Sequence, residues 1–199
     1  MSVNANQIHL LTKKALEGDI KALKEVFAFL EKYDIPLTRY AMYSLLYQFV
    51  MNNILNLGKY CEECGGKCCK LGNPVPVYDF DYKELKKRLT KDELSKLKRE
   101  NGVYLLSRPC PFQEGWACSI HKFKPYACLS YPFAIEDELQ LVIQNYKGGV
   151  PDFIVPDYCI AGKKVKEFMD NLVNELKRKL GRDPTPMELL EEVMKNKQS

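Results

Sequence analysis

Apolar residues first recur at helical spacing after Gly18-Asp19, where Ile20, Leu23, Val26, Phe27 and Leu30 fall on one face. Pro36 interrupts the pattern. It resumes through Leu45, Leu46, Phe49, Val50 and Leu57, which predicts a third helix capped by Thr38 and stopped at Gly58. Tyr40, Tyr43 and Tyr47 share that helix and suit packing better than ligand binding. Residues 1–58 are thus expected to be an N-terminal helical region. Downstream, Asp79 is placed to cap a helix over 82–89. Thr90-Lys-Asp-Glu93 has the capping-box pattern for another, reaching about Glu100 and ended by Asn101-Gly102. A long amphipathic run over 158–180 ends at Gly181. Thr185-Pro186-Met187-Glu188 then opens a last helix, with Thr as the cap and Pro at the first helical position.

Between these helical stretches periodicity fails. Residues 59–77 hold Gly65, Gly66, Gly72, Pro74 and Pro76, which forbid long regular structure. Residues 103–135 are rich in Pro and aromatic residues and predict loops with short strands, and Leu139 to Tyr146 predicts a strand. The fold class expected is α+β, mainly α-helical, with helices packed around a loop-rich, metal-organised cysteine core with little strand. The expected organisation is a cysteine domain over 59–160 between helical regions 1–58 and 161–199, together one compact unit.

The irregular segments carry the chemistry. Cys61, Cys64, Cys68 and Cys69 fall within nine residues, and Cys110, Cys118, Cys128 and Cys159 follow. A buried cysteine behaves as a small hydrophobe and occurs singly in cores. Four on one glycine-containing loop cannot all be core residues, but they can all be ligands. Cys61-x-x-Cys64 followed by Gly has the geometry of a metal knuckle: two thiolates reach one centre while the glycine turns the chain and offers N–H groups to sulfur. A redox disulfide of the thioredoxin type is the alternative, but no predicted strand precedes the pair. Adjacent Cys68-Cys69 point in different directions and suit a polynuclear site or two neighbouring sites. Eight thiols divide most simply into two four-thiolate centres. Cys61 and Cys64 would start one, and Cys68 and Cys69 would go to different ones. The distal four are not assigned by spacing. Aromatic residues from Phe112 to Phe133 can exclude water, as happens around iron–sulfur clusters. His121, Tyr131 and Arg108 are candidate donors to sulfur or substrate.

Charge and compartment refine this picture. The formal net charge is +4 with thiols counted neutral. Eight thiolates and two dicationic centres would bring it near zero, so the basicity gives no reason to expect nucleic acid. Met1 to Lys14 lacks a basic segment followed by an apolar one. Tyr40 to Leu57 is broken by Ser44, Gln48, Asn52 and Asn53, so no membrane span is expected. A reducing cytoplasm, where clustered cysteine means metal or redox chemistry, is the expected setting.

The order Cys-x-x-Cys, Cys-Cys, Arg108-Pro-Cys110-Pro-Phe112, Cys118-x-Ile120, Pro125-x-x-Cys128 and Pro132-Phe133 resembles the YkgJ-type cysteine-cluster family, a zinc- or iron-chelating domain named for a CxxCxxCC core. The core here, CxxCxxxCC, is one residue longer, and Lys124 stands where relatives often carry Arg. The resemblance implies that Cys61, Cys64, Cys68, Cys69, Cys110, Cys118, Cys128 and Cys159 are the metal and cofactor ligands. The expected function is a cytoplasmic metal-binding protein holding one or two iron–sulfur clusters, of the 4Fe-4S type. It would serve electron transfer with a redox or protein partner, or a cluster-dependent enzyme. The alternative is Zn2+ in a structural scaffold. A second alternative is a protein-lysine N-methyltransferase-like enzyme, since the family includes flagellin lysine N-methylases.

Overall fold

The computed structural model describes residues 5–134 and 145–197. The strand expected over Leu139 to Tyr146 lies largely outside them. The architecture is mainly helical with a few short strands, as the α+β expectation has it.

Two helices, α1 (Ala5–Leu16) and α2 (Ile20–Leu30), pack on each other. The Asp19 carboxylate caps α2 by accepting from the Ala22 N–H at 3.0 Å. The third helix, α3 (Pro36–Asn53), begins two residues before the expected Thr38. Pro36 takes the first helical position, where its missing N–H costs nothing, and the Thr38 hydroxyl instead donates to the Ile35 carbonyl. α3 also ends before Leu57, and Gly58 opens a short helix, α4 (Gly58–Glu63), rather than closing the long one. From Met42 to Val50 α3 is buried on every face, so it is the central rod of the helical core. Its tyrosines pack as expected: the Tyr47 ring lies 4.6 Å from Phe153 and 5.3 Å from Phe133. The long helix α9 (Ile160–Leu180) packs against α3, α4 and the last helix, α10 (Pro186–Lys197). The predicted terminal signals hold: Gly181 is left-handed at φ 68°, and Thr185 and Glu188 exchange the two capping-box hydrogen bonds.

The middle of the chain builds a second, smaller apolar cluster around Val77, Leu85, Leu97, Leu106, Phe112 and Ile120. After α5 (Lys67–Lys70) and β1 (Val75–Val77), α6 (Asp79–Arg88) starts at Asp79 itself, with Tyr78 as its cap. The capping box of Thr90 and Glu93 is present, yet α7 stops at Ser95 (Lys91–Ser95). Lys98–Glu100, expected to be helical, is strand β2, paired antiparallel with β3 (Val103–Leu106), which also pairs with β1. Asn101 and Gly102 both adopt positive φ, so this dipeptide is a hairpin turn and not a helix stop. A second hairpin joins β4 (Gln113–Glu114) to β5 (Ala117–Cys118), and α8 (Tyr126–Ser130) follows. Among the described residues no helix is long and apolar enough to cross a membrane.

Candidate metal centre

The first cysteine segment is less irregular than its glycines suggest. Cys61 lies on α4 and Cys64 is the residue that ends it, with its thiol donating to the Cys61 carbonyl at 3.3 Å. Gly65 and Gly66 are both left-handed, at φ 66° and 62°, and reverse the chain into α5, which carries Cys68 and Cys69. The adjacent pair therefore sits on one helical turn, not on extended chain. Successive side chains still diverge by about 100° there.

The distal cysteines are brought to this loop by backbone contacts. The Cys110 N–H donates to the Cys69 carbonyl at 2.7 Å. The Gln113 side-chain amide donates to the Gly66 carbonyl at 3.2 Å, which docks the β4–β5 hairpin and its Cys118 on the glycine turn. A Cβ on Gly66 would meet the Trp116 carbonyl at 2.8 Å, so only glycine lets the hairpin come this close. Cys128 comes from α8. Cys159 is the N-cap of α9, where its sulfur accepts from the Gly162 N–H at 3.4 Å. A Cβ on Gly162 would meet Pro132 at 2.7 Å, Val155 at 2.8 Å and the Cys159 sulfur at 3.0 Å, which leaves no room for a side chain.

These pieces enclose a cavity of about 500 Å³ whose wall contains every cysteine except Cys110. Cys110 is buried behind that wall in the smaller apolar cluster. Asn52, Trp116, His121, Lys124, Tyr131 and Tyr158 are among the other lining residues. All eight cysteines are free thiols. Among the described residues no group of three or more His, Cys, Asp or Glu side chains is arranged to hold a metal ion. The thiols surround a space rather than converge on a point.

Cations face the thiols of the wall. The Cys69 thiol donates to Cys68, and this bond holds Cys68 down at about 6, while burial pushes Cys159 up to about 11 and Cys128 up to about 12. Burial raises Cys61, Cys118 and Cys128, and the Lys124 ammonium opposes that rise while adding to the lowering of Cys68; Lys124 and burial together keep His121 below its usual range. Arg108 reaches Cys68 and Cys128. Its Nε and Nη1 are buried and have no hydrogen-bond partner among the described residues. A buried cationic group without an acceptor is costly. An anionic group in the thiol-lined space would offset that cost, and metal-bound thiolates have that sign. The donor set, the space and the orphaned guanidinium all fit a metal centre on cysteine.

Tyr131 also reaches the wall and is hydrogen-bonded to Tyr158 at 2.9 Å between hydroxyls. Spacing did not single out Lys124 or Tyr158. The signal for Lys124 was a cation followed by Pro inside a cysteine segment. For Tyr158 it was the residue directly before Cys159.

No curated protein and no solved structure matches the chain. Residues 60–147 match a family model, CxxCxxCC, described as a putative zinc- or iron-chelating domain. The match spans seven of the cysteines and ends before Cys159. The middle of this chain is thus similar to a cysteine-domain family described as chelating zinc or iron.

Proposed function

We propose that the cysteine cavity holds iron–sulfur chemistry and that the protein serves electron transfer, or a reaction that depends on a cluster. The observation that carries this reading is the spread of the thiols around a space of about 500 Å³. A single zinc ion draws four sulfurs to about 2.3 Å of one point, and hence to about 3.8 Å of one another. A cluster instead takes its thiolates on different irons. The chain would supply those thiolates, with Arg108 and Lys124 as countercharges and Trp116, Tyr131 and Tyr158 limiting water. When bound, the cluster supplies one-electron chemistry. Such a centre needs reduced thiols, which favours the cytoplasm and a redox protein as partner.

The zinc reading rests on one observation of its own, the description of the matched family, which names zinc beside iron. Zinc on four cysteines would make the centre structural and the protein a scaffold.

Anaerobic purification followed by iron, zinc and acid-labile sulfide analysis per chain decides between them. Iron with about equal sulfide and broad visible charge-transfer absorption is expected. Zinc without sulfide would replace the first reading with the second. A folded protein with eight titratable thiols and only trace metal would end both.

A further inference from the structure

Seven of the eight cysteines line one cavity and Cys110 lies behind its wall, but their packing is not uniform. We propose that they form two four-cysteine sets, Cys61, Cys64, Cys68 and Cys159 in one and Cys69, Cys110, Cys118 and Cys128 in the other, joined at the Cys68–Cys69 peptide. The assignment rests on the reading that these thiols bind metal and is independent of which metal they bind.

The second set is defined by packing. Cys69, Cys110, Cys118 and Cys128 belong to the smaller apolar cluster, against residues such as Leu85, Phe112 and Ile120. The hydrogen bond from the Cys110 N–H to the Cys69 carbonyl fixes two of the four backbones to each other. The sulfurs lie within electrostatic reach of one another: Cys110 and Cys118 both act on Cys69 and on Cys128.

The first set belongs to the other side of the cavity. Cys61 packs against the large helical core, and α4, which carries it, packs on α9. That packing brings Cys159, at the start of α9, to the Cys61–Cys64 knuckle although 94 residues lie between Cys64 and Cys159 in sequence. The thiols acting on Cys159 are Cys68, Cys64 and Cys61, and those acting on Cys61 are Cys64 and Cys68.

Cys68 is the border residue. It accepts from the Cys69 thiol and also lies within reach of Cys118. A four-coordinate thiolate centre takes four sulfurs. The second set is complete without Cys68, and the first is not. Two cations also act at this seam. Lys124 acts on Cys61 and Cys68 of one set and on Cys118 and Cys128 of the other, and Arg108 acts on Cys68 and Cys128. A cation placed between two anionic centres one peptide apart offsets their mutual repulsion.

The test is a set of paired substitutions in the full chain, purified without oxygen, with metal counted by elemental analysis and native mass spectrometry. Cys64→Ala and Cys110→Ala should each remove roughly half of the bound metal. Cys61→Ala added to Cys64→Ala should remove little more, whereas Cys110→Ala added to Cys64→Ala should remove nearly all, as expected for members of one unit against members of two. If either single variant loses all metal, or the Cys61/Cys64 double loses as much as the Cys64/Cys110 double, the partition is wrong. The unsubstituted protein gives a second measurement that does not depend on variants folding. Partial metal removal by a chelator, followed by alkylation and peptide mapping, should expose thiols in the two groups named. Labelling of Cys69 together with Cys159 would overturn the assignment. Metal-free wild-type protein would overturn the metal reading and this one with it. Metal that is present but lost without this sorting would overturn the partition alone.

Discussion

Lys13 on α1 donates a 2.7 Å hydrogen bond to the carboxylate of Asp81 on α6, across 68 residues of sequence and with both side chains buried. The same carboxylate accepts the Tyr126 N–H at 3.0 Å and the Tyr78 N–H at 3.3 Å. One buried anion thus ties the helical core, the start of α6 and the helix that carries Cys128. Burial alone would pull the Lys13 ammonium down, but hydrogen bonds to Asp81 and Glu84 outweigh it and hold Lys13 above its usual 10.5.

Breaking this tie from one side should be expensive. Lys13→Met leaves Asp81 buried and without its cation, and a loss of about 3–5 kcal/mol in denaturant unfolding is expected. Replacing Lys13 and Asp81 together by apolar residues should cost clearly less, because the desolvation penalty is removed with both charges. The pH dependence follows from the raised Lys13 value. Its contribution is complete below the ordinary 10.5 and is lost as pH rises through the higher folded value, so the tie weakens on the alkaline side. Asp81 is shifted up by burial, which gives no acid-side loss from this group. Unfolding midpoints from neutral pH to above pH 10.5 in wild type and Lys13→Met should converge at the alkaline end.

The two glycines of the cysteine loop should differ sharply. Both are left-handed, so an alanine at either costs about 1–2 kcal/mol in backbone strain. A Cβ on Gly65 meets only the flexible Lys70 amine at 3.9 Å. On Gly66 it meets the Gln113 amide at 2.6 Å and the Trp116 carbonyl at 2.8 Å. The backbone carbonyl cannot swing aside. Gly66→Ala should therefore lift the β4–β5 hairpin and Cys118 away from the loop. Metal content and thermal unfolding of the two variants, measured side by side, should show Gly65→Ala close to strain alone and Gly66→Ala well beyond it.

Much of this fold was readable because local rules and tertiary packing agree. The Thr90–Glu93 and Thr185–Glu188 boxes and the left-handed Gly181 stand where the sequence puts them. The failures have identifiable causes. Lys98-Arg99-Glu100 has no apolar alternation to announce a strand, and its side chains are exposed. Its pairing with β3 is imposed by the turn at Asn101-Gly102. At Pro36 the missing N–H set the helix start, although Thr38 looked the better cap. The cysteines themselves were plain, but the nearness of Cys159 to the Cys61–Cys64 knuckle was not. It depends on α9 packing against α4, and spacing along the chain carries no trace of that.

Arg108 should change sign with the state of the centre. In metal-free protein its Nε and Nη1 are buried without a partner, so Arg108→Met should leave stability unchanged or raise it by about 1–3 kcal/mol. In metal-loaded protein the guanidinium faces thiolates, and the same substitution should weaken metal retention and lower stability. Denaturant unfolding of both proteins, with and without metal, checks this. Equal destabilisation in both states would mean that Arg108 acts only through packing.

Metal removal should act on part of the molecule. The large core is built by α1, α2, α3, α9 and α10 around residues such as Phe27, Phe49 and Val165, with no cysteine among its buried members. The loop over 59–70 and the segment from Cys110 to Cys128 rest on short elements, where ligation energy becomes folding energy. Hydrogen exchange should show amides of these segments losing protection on chelation while α3 and α9 keep theirs. Equal protection of the cysteine segments in both forms would show that the fold holds them without metal.

Cys159 should be the most replaceable ligand of its set. It sits on a helix of the large core, and its sulfur already accepts the Gly162 N–H as an N-cap. Serine is a preferred N-cap residue, so Cys159→Ser keeps that helix start and trades only the thiolate. Cys64 lies on the short loop whose order depends on the centre. Cys159→Ser should keep the fold and lose metal in part, with the loss confined to the centre that includes Cys61, Cys64 and Cys68. Cys64→Ser should destabilise the cysteine segments as well as lose metal. Metal content, alkylation mapping and unfolding midpoints distinguish the two variants. Equal losses of metal and stability would make Cys159 an ordinary fourth ligand of a closed structural site.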